Sequence, residues 1–118
     1  MPRGPRIEIP GLLYHVIVRG IERRRIFTAE EDYQDFLNRV GTVWSNSGSV
    51  IYAWALLPNH LHLLVRSGVK PLSQLMRRLL TGYALGFNRR HKRVGYLYQG
   101  RYKAIICEEE TYFLELVR

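Results

Sequence analysis

The chain contains a single cysteine, Cys107, in 118 residues. One thiol excludes an intrachain disulfide framework and a cysteine-built zinc site, and it fits a reducing, cytoplasmic setting. Long hydrophobic runs are missing too. No stretch approaches the roughly 20 apolar residues of a membrane span, and Glu8 and Pro10 interrupt any signal-peptide core after Arg3 and Arg6. No membrane partner is expected. Internal repeats and low-complexity linkers are also lacking, so residues 1–118 read as one domain with one modest core. Hydrophobic residues at 47% and charged residues at 24% exclude wholesale disorder. Acidic residues are scarce: 10 Asp and Glu stand against 18 Lys and Arg, giving a net charge of +8 and a pI near 10.1. That imbalance points to a polyanionic partner, nucleic acid ahead of an anionic membrane. Most of the excess is arginine, whose planar fork suits phosphate oxygens. A generally basic, well-solvated surface is the plain alternative.

The chain is organised around Leu57-Pro58-Asn59-His60-Leu61-His62-Leu63-Leu64-Val65. Residues i and i+2 of a strand share a face, so His60 and His62 make a ready pair of metal ligands. Pro58-Asn59 is a tight turn, with Pro presetting the first corner and Asn tolerated at the second. The preceding Val50 to Leu57 is the partner strand of a hairpin. A histidine in an apolar strand is otherwise often a core residue bonded to a backbone carbonyl.

The rest follows in order. Residues 1 to 11 form an irregular arm, and Leu12 to Arg19 a strand rich in β-branched and aromatic residues. Gly20 ends it, and Ile21-Glu22-Arg23-Arg24-Arg25 is a basic turn, either solvated or phosphate-contacting. Thr28-Ala29-Glu30-Glu31 has the form of a capping box. Tyr33, Phe36, Leu37, Val40 and Val43 then recur at helical spacing over 29–45. A second amphipathic helix follows Pro71, its core stripe running from Leu72 to Phe87 and its other face carrying Arg77 and Arg78. The run Asn88-Arg89-Arg90-His91-Lys92-Arg93, with Tyr96, Tyr98 and Tyr102 behind it, interleaves cations with aromatics as single-stranded nucleic acid requires. A helix end whose dipole favours cations is the other explanation. Arg101 to Cys107 reads as the last strand, and Glu108-Glu109-Glu110 opens a helix that stops two turns in, as in a trimmed piece of a longer protein. The order strand, helix, strand, strand, helix, strand, helix predicts an α+β fold. It matches a ferredoxin-like or RRM-like sandwich, an antiparallel sheet with helices on one face and with the first and third strands central.

Four ordered segments carry a family resemblance: Tyr14-His15-Val16 with Arg19-Gly20; Ala53-Trp54 through His60-Leu61-His62 to Val65; Phe87 to His91; and Tyr98-Gln99-Gly100-Arg101-Tyr102-Lys103-Ala104. Together they resemble the single-tyrosine HUH transposases, in particular the REP-associated tyrosine transposases. The resemblance implies a metal-dependent endonuclease that nicks and rejoins single-stranded DNA near hairpins through a 5′-phosphotyrosine, with Mg²⁺ or Mn²⁺ as cofactor. It also implies a homodimer. His60 and His62 take the metal-ligand positions. The family nucleophile, and a metal-ligating Asn one turn later, align immediately after Arg118, leaving Tyr112 as the one weak candidate on that helix. Arg19, Arg23, Arg24, Arg25, Arg77, Arg78, Arg89, Arg90, Lys92, Arg93, Arg101 and Lys103 are the expected DNA contacts. A non-catalytic RRM-like binding module with structural histidines is the alternative, and a ribonuclease or replication initiator on the same scaffold a third.

Overall fold

The computed structural model describes residues 10–107. Within them the chain forms β1 (Leu13–Arg19), α1 (Glu30–Trp44), β2 (Val50–Leu57), β3 (His60–Arg66), α2 (Leu72–Arg90) and β4 (Lys103–Ile106). The sheet order is β2-β3-β1-β4, and every neighbouring pair is antiparallel. This is the ferredoxin-like α+β sandwich that the element order predicts, with β1 and β3 central.

Alternation decides the two faces of the sheet. Tyr14, Val16 and Val18 of β1 and Leu61, Leu63 and Val65 of β3 are buried in one cluster with Phe36 and Val43 of α1 and Leu75, Met76, Leu79 and Tyr83 of α2. The residues between them, His15, Ile17 and Arg19 of β1 and His60 and His62 of β3, therefore point to the face opposite the helices. Phe27, Phe36 and Tyr83 form the aromatic centre of the core, with ring centroids 5.3 to 5.5 Å apart. The Tyr83 hydroxyl donates to the Ile26 carbonyl at 2.5 Å, and burial raises its pKa well above that of free tyrosine.

The helices meet closely because α2 carries Gly86 at the contact. A Cβ there would stand 2.9 Å from Asp35 Oδ2 and 3.0 Å from Arg39 Nη2. Around it lies an ion cluster. Asp32 is fully buried, and it accepts from Arg90 Nε at 2.8 Å and from His91 Nε2 at 3.0 Å. Arg90 Nη1 reaches Asp35 at 2.7 Å.

Several local expectations are corrected. The Thr28/Glu31 capping box does not form: α1 starts at Glu30 behind Ala29, and Asp32 reaches back instead. It accepts from the Ala29 amide and from both the amide and the hydroxyl of Thr28. Asp32 wins because its shorter side chain turns inward to Arg90, whereas Glu31 stays in water. The second helix runs to Arg90, so Asn88, Arg89 and Arg90 belong to its last turn. The last strand is shorter than expected and starts at Lys103, because Gln99 and Tyr98 are held to Arg19 and Gly20 by a separate bridge. Strand β2 carries a bulge between Ile51 and Ala53. Arg66 Nε donates to the hydroxyl of the bulged Tyr52 at 2.9 Å. The helix expected after Glu110, with Tyr112, lies outside the described residues.

Candidate metal centre and nucleic-acid interface

The histidine strand β3 is clamped at its start by backbone bonds. The Pro58 carbonyl accepts from the amides of Ile26 and Phe27, and the Asn59 carbonyl from the amide of Gly20. The turn and the basic loop are thus one unit. Gly20 is indispensable to it, since a Cβ would stand 2.0 Å from the Arg24 carbonyl oxygen. Glu22 and Arg23 follow with φ of 53° and 60°, a left-handed stretch that costs on the order of 1–3 kcal/mol per residue and concentrates at ligand-holding loops.

On this frame His60 and His62 share a face, ring centroids 5.0 Å apart and nearly perpendicular. Each ring is held through Nδ1. His60 Nδ1 lies 2.8 Å from Asn59 Oδ1, and the Asn59 amide nitrogen points to the Arg23 carbonyl at 3.5 Å. An amide oxygen only accepts, so His60 carries its proton on Nδ1 and keeps a lone pair on Nε2. His62 Nδ1 lies 2.9 Å from Nε2 of His15, a residue of β1 whose ring is 5.1 Å away. Burial lowers the pKa of His62, and the neighbouring His15, His60 and Arg19 lower it further. Burial likewise lowers that of His15. Both shifts favour neutral imidazoles, the form that binds a cation.

Among the described residues no group of three His, Cys, Asp or Glu is placed to enclose a metal ion. Among those residues the donors on offer are the two imidazole nitrogens of His60 and His62. Such a site fits a divalent cation that shares its shell with a substrate. Nitrogen donors suit Mn²⁺ better than Mg²⁺.

The basic residues divide into distinct groups. Arg19 and Arg23 join Gly20, Glu22, Asn59, His60 and Gln99 around a cleft of about 540 Å³. Arg77 and Arg101 line a second groove, against α2. Lys103 pairs in register with Ile17, itself opposite His62, and so shares the histidine face. Arg24 is exposed, 3.7 Å from Glu22, while Arg25, Arg78, Arg89 and Lys92 stand in solvent. Arg90 and Arg93 are engaged inside the domain. Arg90 grips Asp32 and Asp35, and Arg93 donates to Asn88 Oδ1 and the Tyr96 carbonyl. Reading residue by residue missed the structural parts of His15, Asn59 and Gln99. All three stand in or beside the segments that carry the family resemblance, which was the one available signal.

Fold and site together define a ferredoxin-like domain with paired histidines beside a basic cleft. The chain belongs to the IS200-like transposase family, whose model, "Transposase IS200 like", matches residues 8–117. A transposase cuts DNA and transfers strands, and that is the kind of enzyme this family comprises. A solved REP-associated tyrosine transposase bound to a REP hairpin superimposes with a TM-score of 0.75, at 20% identity, over 99% of this chain and 68% of that one. A transposase crystal structure from Deinococcus radiodurans R1 gives 0.65 at 18% identity, over 99% of this chain and 94% of that one. No curated protein matches the chain in sequence. Among the described residues no helix is long and apolar enough to cross a membrane.

Proposed function

We propose that this domain is a divalent-cation-dependent nuclease and strand transferase acting on single-stranded DNA near hairpins, in the manner of the REP-associated tyrosine transposases. The observation that carries it is the histidine pair: both rings lie on one face, each with Nδ1 held by a neighbour. With His62 donating its Nδ1 proton to His15, Nε2 of both rings is left to hold Mn²⁺ or Mg²⁺. Bound there, the cation would polarise the scissile phosphate and offset its developing charge. The chain's own contribution is positional. Asn59 and His15 orient the two rings, and Arg19 and Arg23 supply cations beside them for the phosphates on either side. Capture of one structural relative on a REP hairpin supports a hairpin substrate here.

Family resemblance assigns the bond-making atom to a tyrosine. Its hydroxyl would attack phosphorus, the bond to the 3′ oxygen would break, and a free 3′-hydroxyl would leave. The ester so formed keeps the phosphodiester energy for rejoining.

The test uses a labelled hairpin oligonucleotide with single-stranded flanks. It is incubated with Mn²⁺ and the full-length protein, and denaturation-resistant adducts are counted. His60→Ala or His62→Ala should abolish the adduct while leaving the fold intact. DNA binding that is unchanged in EDTA, with no adduct under any condition, would instead establish a non-catalytic binding module.

A further inference from the structure

The second groove is left unexplained by the histidine site. It encloses about 920 Å³ between α2 and residues 95–102, within the usual range of about 300–1,000 Å³ for ligand clefts. Met76, Leu80, Ala84 and Leu97 give it an apolar lining, Arg77 and Arg101 add two guanidinium groups, and among the described residues no carboxylate lines it. Tyr96 lines it while remaining 85% exposed. An aromatic ring so exposed forgoes most of the burial that normally stabilises a large side chain.

The loop that carries Tyr96 is braced. Arg93 Nη2 donates to the Tyr96 carbonyl at 2.7 Å, and Asn88 Nδ2 to the Gly95 carbonyl at 3.0 Å. The ring is therefore presented to solvent by a fixed backbone. The groove also adjoins the histidine cleft. Gly20 and Gln99 line the cleft, whereas Ile21, Tyr98 and Gly100 line the groove. The two are separated only by the strip in which Ile21 bonds Leu97 and Gln99 bonds Arg19. A strand with a phosphate at His60 has a direct course over that strip.

We infer that this groove binds the unpaired nucleotides next to the cleavage point, with Tyr96 stacked on a base and Arg77 and Arg101 neutralising the adjoining phosphates. The inference rests on the DNA reading above and adds a second subsite to it. An aromatic platform between cations is the recurring solution for single strands because every base offers a π-face. A purely apolar protein segment would have no use for the two arginines.

Fluorescence anisotropy with the 118-residue chain tests it, using one DNA hairpin in three forms: blunt, or with about six unpaired nucleotides at the 5′ or the 3′ end. The wild type should prefer one of the extended forms. Tyr96→Ala should weaken that form about 5- to 150-fold, the effect of losing one base stack, and leave the blunt hairpin unchanged. Tyr96→Phe should restore binding, and Arg77→Gln or Arg101→Gln should weaken only the extended form. An unaffected Tyr96→Ala, or an equal loss on the blunt hairpin, overturns the subsite while leaving the histidine reading intact. So does a Tyr96→Ala variant that loses self-association in sedimentation but keeps DNA affinity, which would make the groove a protein contact. A wild type that binds none of the three DNAs overturns both readings.

Discussion

Asp32→Asn is the perturbation whose size follows most directly from the structure. Asp32 is fully buried at the start of α1 and holds Arg90 and His91 at the end of α2. Burial pushes its pKa up, but the donors from Thr28, His91, Ala29 and Arg90 outweigh that and bring it from 3.8 down to about 2. At about 1.4 kcal/mol per pKa unit this preference for the carboxylate contributes about 2 kcal/mol of stability. The amide keeps the shape but loses the charge, leaving Arg90 half-buried beside Asp35 alone. Breaking a buried pair costs about 3–5 kcal/mol, so a loss of about 2–4 kcal/mol is expected. For a domain of this size that lowers Tm by roughly 10 °C. The sign with pH is fixed. A depressed folded-state pKa stabilises above the unfolded value of 3.8, and the contribution disappears as pH falls towards 2. Urea unfolding followed by circular dichroism between pH 7 and pH 2 should show the wild type losing stability across that window. The variant should start lower and lose about 2 kcal/mol less. Equal midpoints at pH 7, or the same loss on acidification in both proteins, would refute the assignment of this energy to Asp32.

Other outcomes follow from the same geometry. His15→Leu removes the partner of His62 Nδ1 and should weaken Mn²⁺ binding 10- to 100-fold with the far-UV spectrum unchanged; unaltered affinity by electron paramagnetic resonance would remove His15 from the site. Gly20→Ala should fold poorly or displace the basic loop, seen as lost DNA affinity and a Tm several degrees lower, because its Cβ has no room beside the Arg24 carbonyl. Neutralising Arg19, Arg23, Arg77 or Arg101 singly should lower the salt slope of single-strand binding by about 0.7 each. Arg90→Gln should instead lower Tm with little change in that slope.

Period-2 patterning carried much of the fold and of the site. His60 and His62 could be placed on one face from their spacing alone, and the hairpin before them from Pro58-Asn59. What residue patterning does not encode is pairing across the sheet. His15 meets His62 only because β1 and β3 align in a particular register, 47 positions apart in the chain. Charge counting is blind to packing in a similar way. Arg90 and Arg93 sit in the densest basic run, but the partners that engage them, Asp32 and Asp35 on another helix and the Tyr96 carbonyl on the following loop, depend on how the chain packs. The Thr28 cap was misplaced for the same reason: Asp32 is drawn inward by α2, a pull invisible within the segment 28–32.

The bulge in β2 has a bearing on how this protein behaves in concentrated solution. Among the described residues β2 is an outer strand of the sheet, and Val50, Tyr52 and Trp54 on it are exposed. A flat edge with that apolar content would template pairing with further chains and invite aggregation. The extra residue at Tyr52 breaks the hydrogen-bonding rhythm that an incoming strand needs, and Arg66 anchors the displaced ring by its hydroxyl. Arg66 thereby places a positive charge beside the kink, so that copies approaching edge to edge meet both a mismatch of pleat and a like charge.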